Sequence, residues 1–234
     1  MKYINLHTHS AIFETNVLSI FNQYPSDFVE NENHFSVGIH PWYIDFERVE
    51  SDLNFITSKL SQSKCLAIGE CGLDSRIETC PSQQTIVFEK QLLLAQEFKK
   101  PVIVHCVGAY NELISIKKKM KISVPMVVHG FSKNENVAKM LIDNGFYLSF
   151  GKHLMLNHDF ANVLKTVPLN KLFIETDSSD YLIADVYEKA AEVLKIDIIA
   201  LQKNLFETFD TVFAKKTLSK DSPALGAEQG AVRS

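Results

Sequence analysis

Several things are missing from this chain, and each absence narrows what it can be. Its 234 residues carry 24 Lys and Arg against 28 Asp and Glu, a net charge of -4. There is no excess positive charge with which to coat nucleic acid through a broad basic surface. An enzyme that grips a strand end through bound metal ions is still allowed. No apolar run approaches about 18 residues, which argues against a membrane span. Lys2 is followed at once by a polar, histidine-containing stretch, not by the apolar core of a secretion signal. The four cysteines, Cys65, Cys71, Cys80 and Cys106, form neither a CxxC pair nor a dense framework. They read as the reduced thiols of a cytoplasmic protein. No Gly-rich phosphate loop follows the first apolar segment.

What is present is a soluble-protein composition, 46% hydrophobic and 22% charged, at a length that suits one large domain. Apolar β-type segments at residues 3–10, 34–40, 65–69, 101–104, 124–128, 146–150 and 171–174 alternate with helical patterns. Those patterns fall at 49–60, 83–99, 110–119, 186–194 and 198–213, with a further helix from a Ser132-x-x-Glu135 capping box through Leu141. Residues 14–23 read as an irregular helix. From about Leu218 the composition turns to Ser, Gly, Ala and charge without periodicity. The expected organisation is one α/β domain over residues 1–217 and a disordered tail over 218–234. Seven strands are visible and an eighth is expected to be short or irregular.

The polar residues decide between an open sheet and a closed one. His7 and His9 project side by side from an extended segment. His40, Glu70, His105, His129 and Asp177 each stand at the C-terminal end of a later strand. In a (β/α)8 TIM-like barrel those ends meet on one face, where active sites are built. Polar termini that are partly buried need partners, and a metal cluster satisfies them together. Counted as ligands, His7, His9 and Asp177 could hold one ion, His105 and His129 a second, and Glu70 could bridge both. Imidazole and carboxylate donors suit Zn, Mn, Fe, Ni or Mg. A pair of divalent ions about 3.5–4 Å apart clamps the attacking and leaving oxygens of a phosphate ester and activates water. Asp177 could also accept that water's proton. His40 and Trp42 are candidate substrate contacts, for phosphate and for a stacked base respectively. Asp74 is expected to orient a ligand or a loop, and Lys152 offers a weaker phosphate contact. His34, His153 and His158 read as structural or exposed.

These residues resemble the TatD family of metal-dependent deoxyribonucleases, amidohydrolase-like TIM barrels. The likeness covers roughly residues 1–213. It is carried by Leu6-His7-Thr8-His9, Gly38-Ile39-His40-Pro41, Gly69-Glu70-Cys71-Gly72-Leu73-Asp74, Pro101-Val102-Ile103-Val104-His105, His129-Gly130-Phe131-Ser132, Glu175-Thr176-Asp177 and the late Asn204…Phe209 pair. The resemblance implies a two-metal hydrolase that trims DNA, or RNA, from a 3′ end. His7, His9 and Asp177 would then serve one metal, His105 and His129 the other, and Glu70 both. The expected partner is a nucleic acid end, with the protein a monomer or a small homo-oligomer. Three departures stand out. Asn5 replaces the family's usual Asp before His-x-His, which is expected to alter a polar partner of a ligand histidine. Cys106-Val107-Gly108 carries no arginine after His105, so a phosphate-binding cation is lost. Ser178-Ser179-Asp180 follows Asp177 where proline is common. The competing readings are an amide or ester hydrolase such as a tRNA deacylase, a PHP-type phosphoesterase, and a catalytically weakened binding module. A PHP-type site would need a late Asp-x-His, and none occurs.

Overall fold

The alternation of strands and helices is realised as eight parallel strands paired in chain order. A computed structural model describes residues 3–11, 14–30, 33–157 and 160–213. The tail expected over 218–234, and His158, lie outside the described residues. The strands are β1 (Tyr3–Thr8), β2 (Val17–Gln23), β3 (His34–Val37), β4 (Cys65–Asp74), β5 (Val102–Val107), β6 (Met126–Val128), β7 (Tyr147–Phe150) and β8 (Leu172–Ile174). Helices α1 (Val49–Leu60), α2 (Pro81–Phe98), α3 (Tyr110–Lys119), α4 (Glu135–Asp143), α5 (Lys152–Leu156), α6 (Phe160–Thr166), α7 (Ile183–Leu194) and α8 (Ile198–Phe213) follow the later strands. Among the described residues no helix is long and apolar enough to cross a membrane.

Two expectations need correction. Residues 14–23 do not form a helix. Val17–Gln23 is the second strand, pairing in parallel with β1 on one side and β3 on the other. Its polar residues obscure the pattern, because Asn22 and Gln23 are buried beside Val17 and Ile20. Helix α4 is capped by Asn134, whose side chain accepts a hydrogen bond from the Val137 amide, and not by Ser132. Asn134 stands directly before the first helical residue, where a side-chain oxygen reaches the orphan N–H groups.

Alternation along each strand sets the layers. Ile4, Leu6, Ile20, Ala67, Ile103, Val127 and Phe173 form one buried cluster, joined by Phe209, Val212 and Phe213 of α8. A second, larger cluster lies between the strands and the remaining helices. Two residues beyond Ile20, Ile103, Val127 and Phe173 stand Asn22, His105, His129 and Glu175. The apolar layer thus lifts a ring of polar side chains onto the same face. In β1 the register shifts between Asn5 and Thr8, and His7 follows Leu6 into that layer. In β4 the register shifts between Ile68 and Cys71. Gly69 sits at that irregularity, where a Cβ would lie 2.4 Å from the Ile103 carbonyl oxygen. Only glycine lets the two backbones approach so closely.

Strands β1 and β8 meet at a seam stitched mostly by other means than a strand ladder. Asp177 forms an isolated bridge to Thr8, donating its amide to the His7 carbonyl at 2.9 Å and accepting from the His9 amide at 3.1 Å. Asn5 accepts from the Thr176 amide at 3.0 Å and donates to the Thr176 hydroxyl at 2.8 Å. The Tyr187 hydroxyl, from α7, donates to the Ile4 carbonyl and accepts from the Ile4 amide, each at 3.0 Å. Asn5 therefore serves as a strand-closing group. No direct hydrogen bond links it to His7 or His9.

Candidate metal centre

Glu70 is the centre of the site. It is 3% exposed, on the irregular stretch of β4, and its two oxygens face different histidines. Oε1 lies 2.7 Å from His129 Nε2, 2.8 Å from His105 Nδ1 and 3.1 Å from His40 Nε2. Oε2 lies 3.5 Å from His7 Nε2 and 3.7 Å from His9 Nε2. Asp177 closes that second side, with Oδ1 3.6 Å from His7 Nε2 and 3.4 Å from His9 Nε2. Asp177 adopts φ 53°, a conformation that Asp tolerates better than most residues and that sits at the β1–β8 seam.

The outer nitrogens show which lone pairs point inward. His105 Nε2 lies 3.2 Å from Asp74 Oδ2, so a proton held there leaves Nδ1 free to face Glu70. His129 Nδ1 lies 3.6 Å from Glu175 Oε1, an ion-pair distance without a hydrogen bond, and Nε2 faces inward. His40 differs. Its Nδ1 accepts from the Trp42 amide at 3.1 Å, so its proton sits on Nε2, aimed at Glu70. That tautomer makes His40 a donor to the carboxylate and a poor ligand.

The charges are coupled. Burial resists ionisation of Glu70, yet the charge of His129 and the bonds from His105, His129 and His40 hold its carboxyl well below the usual range. Burial likewise opposes ionised Asp177, and its bond to His9 and the charges of His7 and His129 hold it low. The bond to Asp177 lifts His9 above its ordinary value, against burial. Burial disfavours a charged His129, but Glu70 and Glu175 raise it well above the ordinary imidazole range.

The donor set fits divalent cations. His7 is fully buried and neither of its nitrogens has a hydrogen-bond partner; a cation bound at Nε2, the nitrogen that faces Glu70 and Asp177, would remove that part of the cost. Three groups bring their ligand atoms within 4.8 Å of one another: His7, His129 and Asp177; His7, His9 and Glu70; and His40, Glu70 and His105. All six sequence-derived ligands thus converge, sharing Glu70 and His7.

A family profile described as TatD related DNase matches residues 2–214. The chain belongs to the TatD family. An uncharacterized metal-dependent hydrolase of Haemophilus influenzae is 32% identical over 157 residues, 62% of this chain and 59% of that protein. The metal-dependent hydrolase YabD of Bacillus subtilis is 32% identical over 168 residues, 70% of this chain and 63% of that one. A 3′-5′ ssDNA/RNA exonuclease TatD of Citrobacter koseri is 29% identical, covering 67% of this chain and 62% of that one. The chain therefore spans less than two thirds of the length of these curated relatives. Among solved structures, the TatD homologue YJJV of Escherichia coli K12 superposes with a TM-score of 0.78 at 20% identity, over 91% of this chain and 98% of that one. That likeness concerns the TatD fold.

Around the candidate ligands of this TatD chain stand residues that motif reading passed over. Glu175 is fully buried. Its Oε1 accepts from the Gly130 amide at 2.6 Å and faces His129, while Oε2 has no partner. Tyr24 brings its hydroxyl to 3.4 Å from Glu70 Oε2, and Asn22 accepts from the Glu70 amide at 2.7 Å. Asn22 belongs to the strand misread as helix, and Tyr24 follows directly after it. Asp74, expected to orient a ligand, accepts from the Trp42 indole at 2.8 Å as well as facing His105. Trp42 is 57% exposed at the mouth of the barrel. At Gly108 a Cβ would lie 2.1 Å from Ser75 Oγ, so the loop after β4 fills the space of the missing side chain.

Proposed function

We propose that this TatD-family chain is a hydrolase that uses two divalent metal ions to cleave phosphodiester bonds, trimming nucleic acid from a 3′ end. The observation that carries the reading is Glu70, buried and dividing its two oxygens between two sets of imidazoles. His7 and His9 through Nε2, with Asp177, would hold one ion. His105 through Nδ1 and His129 through Nε2 would hold the other, and Glu70 would serve both. When bound, such ions supply Lewis-acid polarisation of the phosphoryl group and acidify water.

The remaining steps belong to the chain's own side chains. Asp177 is held ionised at the solvent-reached edge of the cluster, where its carboxylate accepts a proton from the attacking water. Asp74 and Glu175 fix the ring orientations of His105 and His129, as carboxylates behind ligand histidines do elsewhere. His40, with its proton on Nε2, donates either to Glu70 or to a phosphoryl oxygen that enters the cluster. The exposed Trp42 ring, pinned by Asp74, offers a stacking face beside His105 for the terminal base.

The test is a 3′-labelled single strand incubated with metal-loaded protein and with Glu70→Ala. Loss of mononucleotides from the labelled end by the wild type, abolished in Glu70→Ala, is the expected result. An intact strand with every divalent metal tried sinks the proposal.

A further inference from the structure

The two oxygens of Glu70 are not held alike. Oε1 has nitrogens of His129, His105 and His40 within 3.1 Å. Oε2 takes no hydrogen bond from His7 or His9, whose Nε2 atoms lie at 3.5 and 3.7 Å. Among the described residues, the bond it does receive comes from the Tyr24 hydroxyl, at 3.4 Å. A phenol has an ordinary pKa of about 10 and is protonated at neutral pH, so Tyr24 donates and the carboxylate accepts. An ionised carboxylate has about four lone-pair sites, so this bond leaves room for a cation on the same oxygen. The terminal torsion of a glutamate is broad. A carboxylate held through Oε1 alone would leave Oε2 free to swing.

The surrounding chain places Tyr24 for this task. It comes directly after β2, whose Asn22 accepts from the Glu70 amide at 2.7 Å. The stretch from Asn22 to Tyr24 therefore grips Glu70 by its backbone and by its carboxylate. The Tyr24 ring packs edge-on against Tyr43, with centroids 5.0 Å apart, and lies 6.2 Å from His40 and 6.3 Å from His9. Tyr43 is in turn tied to His40, donating its amide to the His40 carbonyl at 2.9 Å. The cavity beside Tyr24, His40 and Tyr43 measures about 10 Å³, room for one water at most. The ring has no second position there.

We propose that Tyr24 is a positioning residue of the metal centre. Its hydroxyl fixes Glu70 Oε2 on the side of His7, His9 and Asp177, and so strengthens the binding of the cation held there. The cation at His105 and His129 depends on Oε1 and not on Tyr24. The inference rests on the two-cation reading of Glu70 proposed above, but on no substrate.

The test is calorimetric titration of the full chain with Mn²⁺, comparing Tyr24 with Tyr24→Phe in two backgrounds. His105→Ala leaves the His7, His9 and Asp177 side, and His9→Ala leaves the His105 and His129 side. In the His105→Ala background, Tyr24→Phe should weaken the remaining ion at least about tenfold, as the loss of a partner behind a metal ligand does. In the His9→Ala background it should leave the affinity unchanged. Each Tyr24→Phe chain should keep the far-UV spectrum and the Tm of its parent in EDTA. A merely structural role would weaken both sides together. Equal losses in the two backgrounds, no loss in the first, or a wild type that binds fewer than two ions overturns the inference. If His105→Ala alone abolishes binding, the comparison moves to the otherwise intact chain. There Tyr24→Phe should weaken one of the two ions and spare the other, and weakening both or neither overturns the inference. Cleavage of a 3′-labelled strand separates the two proposals. A Tyr24→Phe chain that binds both ions undiminished and still cleaves defeats the role of Tyr24 and leaves the hydrolase reading. One selectively weakened ion, in a protein whose wild type cleaves nothing, does the reverse.

Discussion

Tyr187→Phe should destabilise this protein far more than the loss of one oxygen suggests. The Tyr187 side chain is fully buried, and its hydroxyl holds both backbone polar groups of Ile4 at 3.0 Å. Among the described residues strand β1 has a ladder to β2 on one flank and none to β8 on the other, where the seam holds the isolated Thr8–Asp177 bridge and the Asn5–Thr176 bonds. The substitution keeps the ring and its packing but leaves a buried N–H and a buried C=O without partners. Each such group costs about 1–3 kcal/mol, so the loss should be about 2–6 kcal/mol. For a domain of this size that corresponds to a fall in Tm of roughly 4–24 °C. The assay is urea unfolding followed by circular dichroism in EDTA, so that metal binding does not contribute. The midpoint should drop with an unchanged m-value, because the exposed surface is the same. A loss below about 0.5 kcal/mol would refute the argument that side chains, in place of a strand ladder, close the barrel here.

Further predictions follow from the same geometry. Glu175→Gln should weaken metal binding about 10–100-fold, measured by competition with a chromophoric chelator, because the negative charge behind His129 is lost while an oxygen facing Gly130 is kept; unchanged affinity would remove Glu175 from the site. Lys99, Lys121 and Lys195 adopt φ 52°, 53° and 55°, where side chains are strained, so each Lys→Gly change should stabilise by about 0.5–1 kcal/mol in thermal unfolding even after glycine's entropy cost. Protons compete with metal at His9 and His129, whose affinities for protons are raised in the metal-free protein. That contribution to metal-free stability is present below the ordinary imidazole value of about 6.5 and is lost as pH rises through the raised folded values. The gain in Tm on adding Zn²⁺ should therefore be larger at pH 8 than at pH 6, and an equal gain at both would show that these histidines are not ligands.

The sequence made the barrel visible where each strand is apolar until its last residue. Val102 to Val104 before His105, and Met126 to Val128 before His129, satisfy that pattern and point to candidate ligands, although β5 runs on past His105 to Val107. It obscured β2, where Asn22 and Gln23 point into the structure because the Glu70 amide and the Val29 amide need acceptors. A strand that carries polar support for a site shows neither clean alternation nor a helical stripe. The six candidate ligands could be picked out because a metal demands particular donor types at strand ends, and the structure brings their ligand atoms together. Their supports were harder to pick out: Glu175 sits beside Asp177 in sequence, yet nothing in the spacing separates the residue behind His129 from the one facing the cluster. Asn5 was legible as a departure but not as a seam residue, since its partner Thr176 is 171 positions away.

The central claim is that Glu70 is shared between two cations. Metal-free protein titrated with Mn²⁺ or Zn²⁺ by calorimetry, with the bound ions counted by elemental analysis, tests it directly. Two ions per chain in the wild type, and the loss of tight binding at both sites in Glu70→Ala, is the predicted result. A wild type that binds no ion, or a Glu70→Ala variant that still holds two tightly, would contradict it.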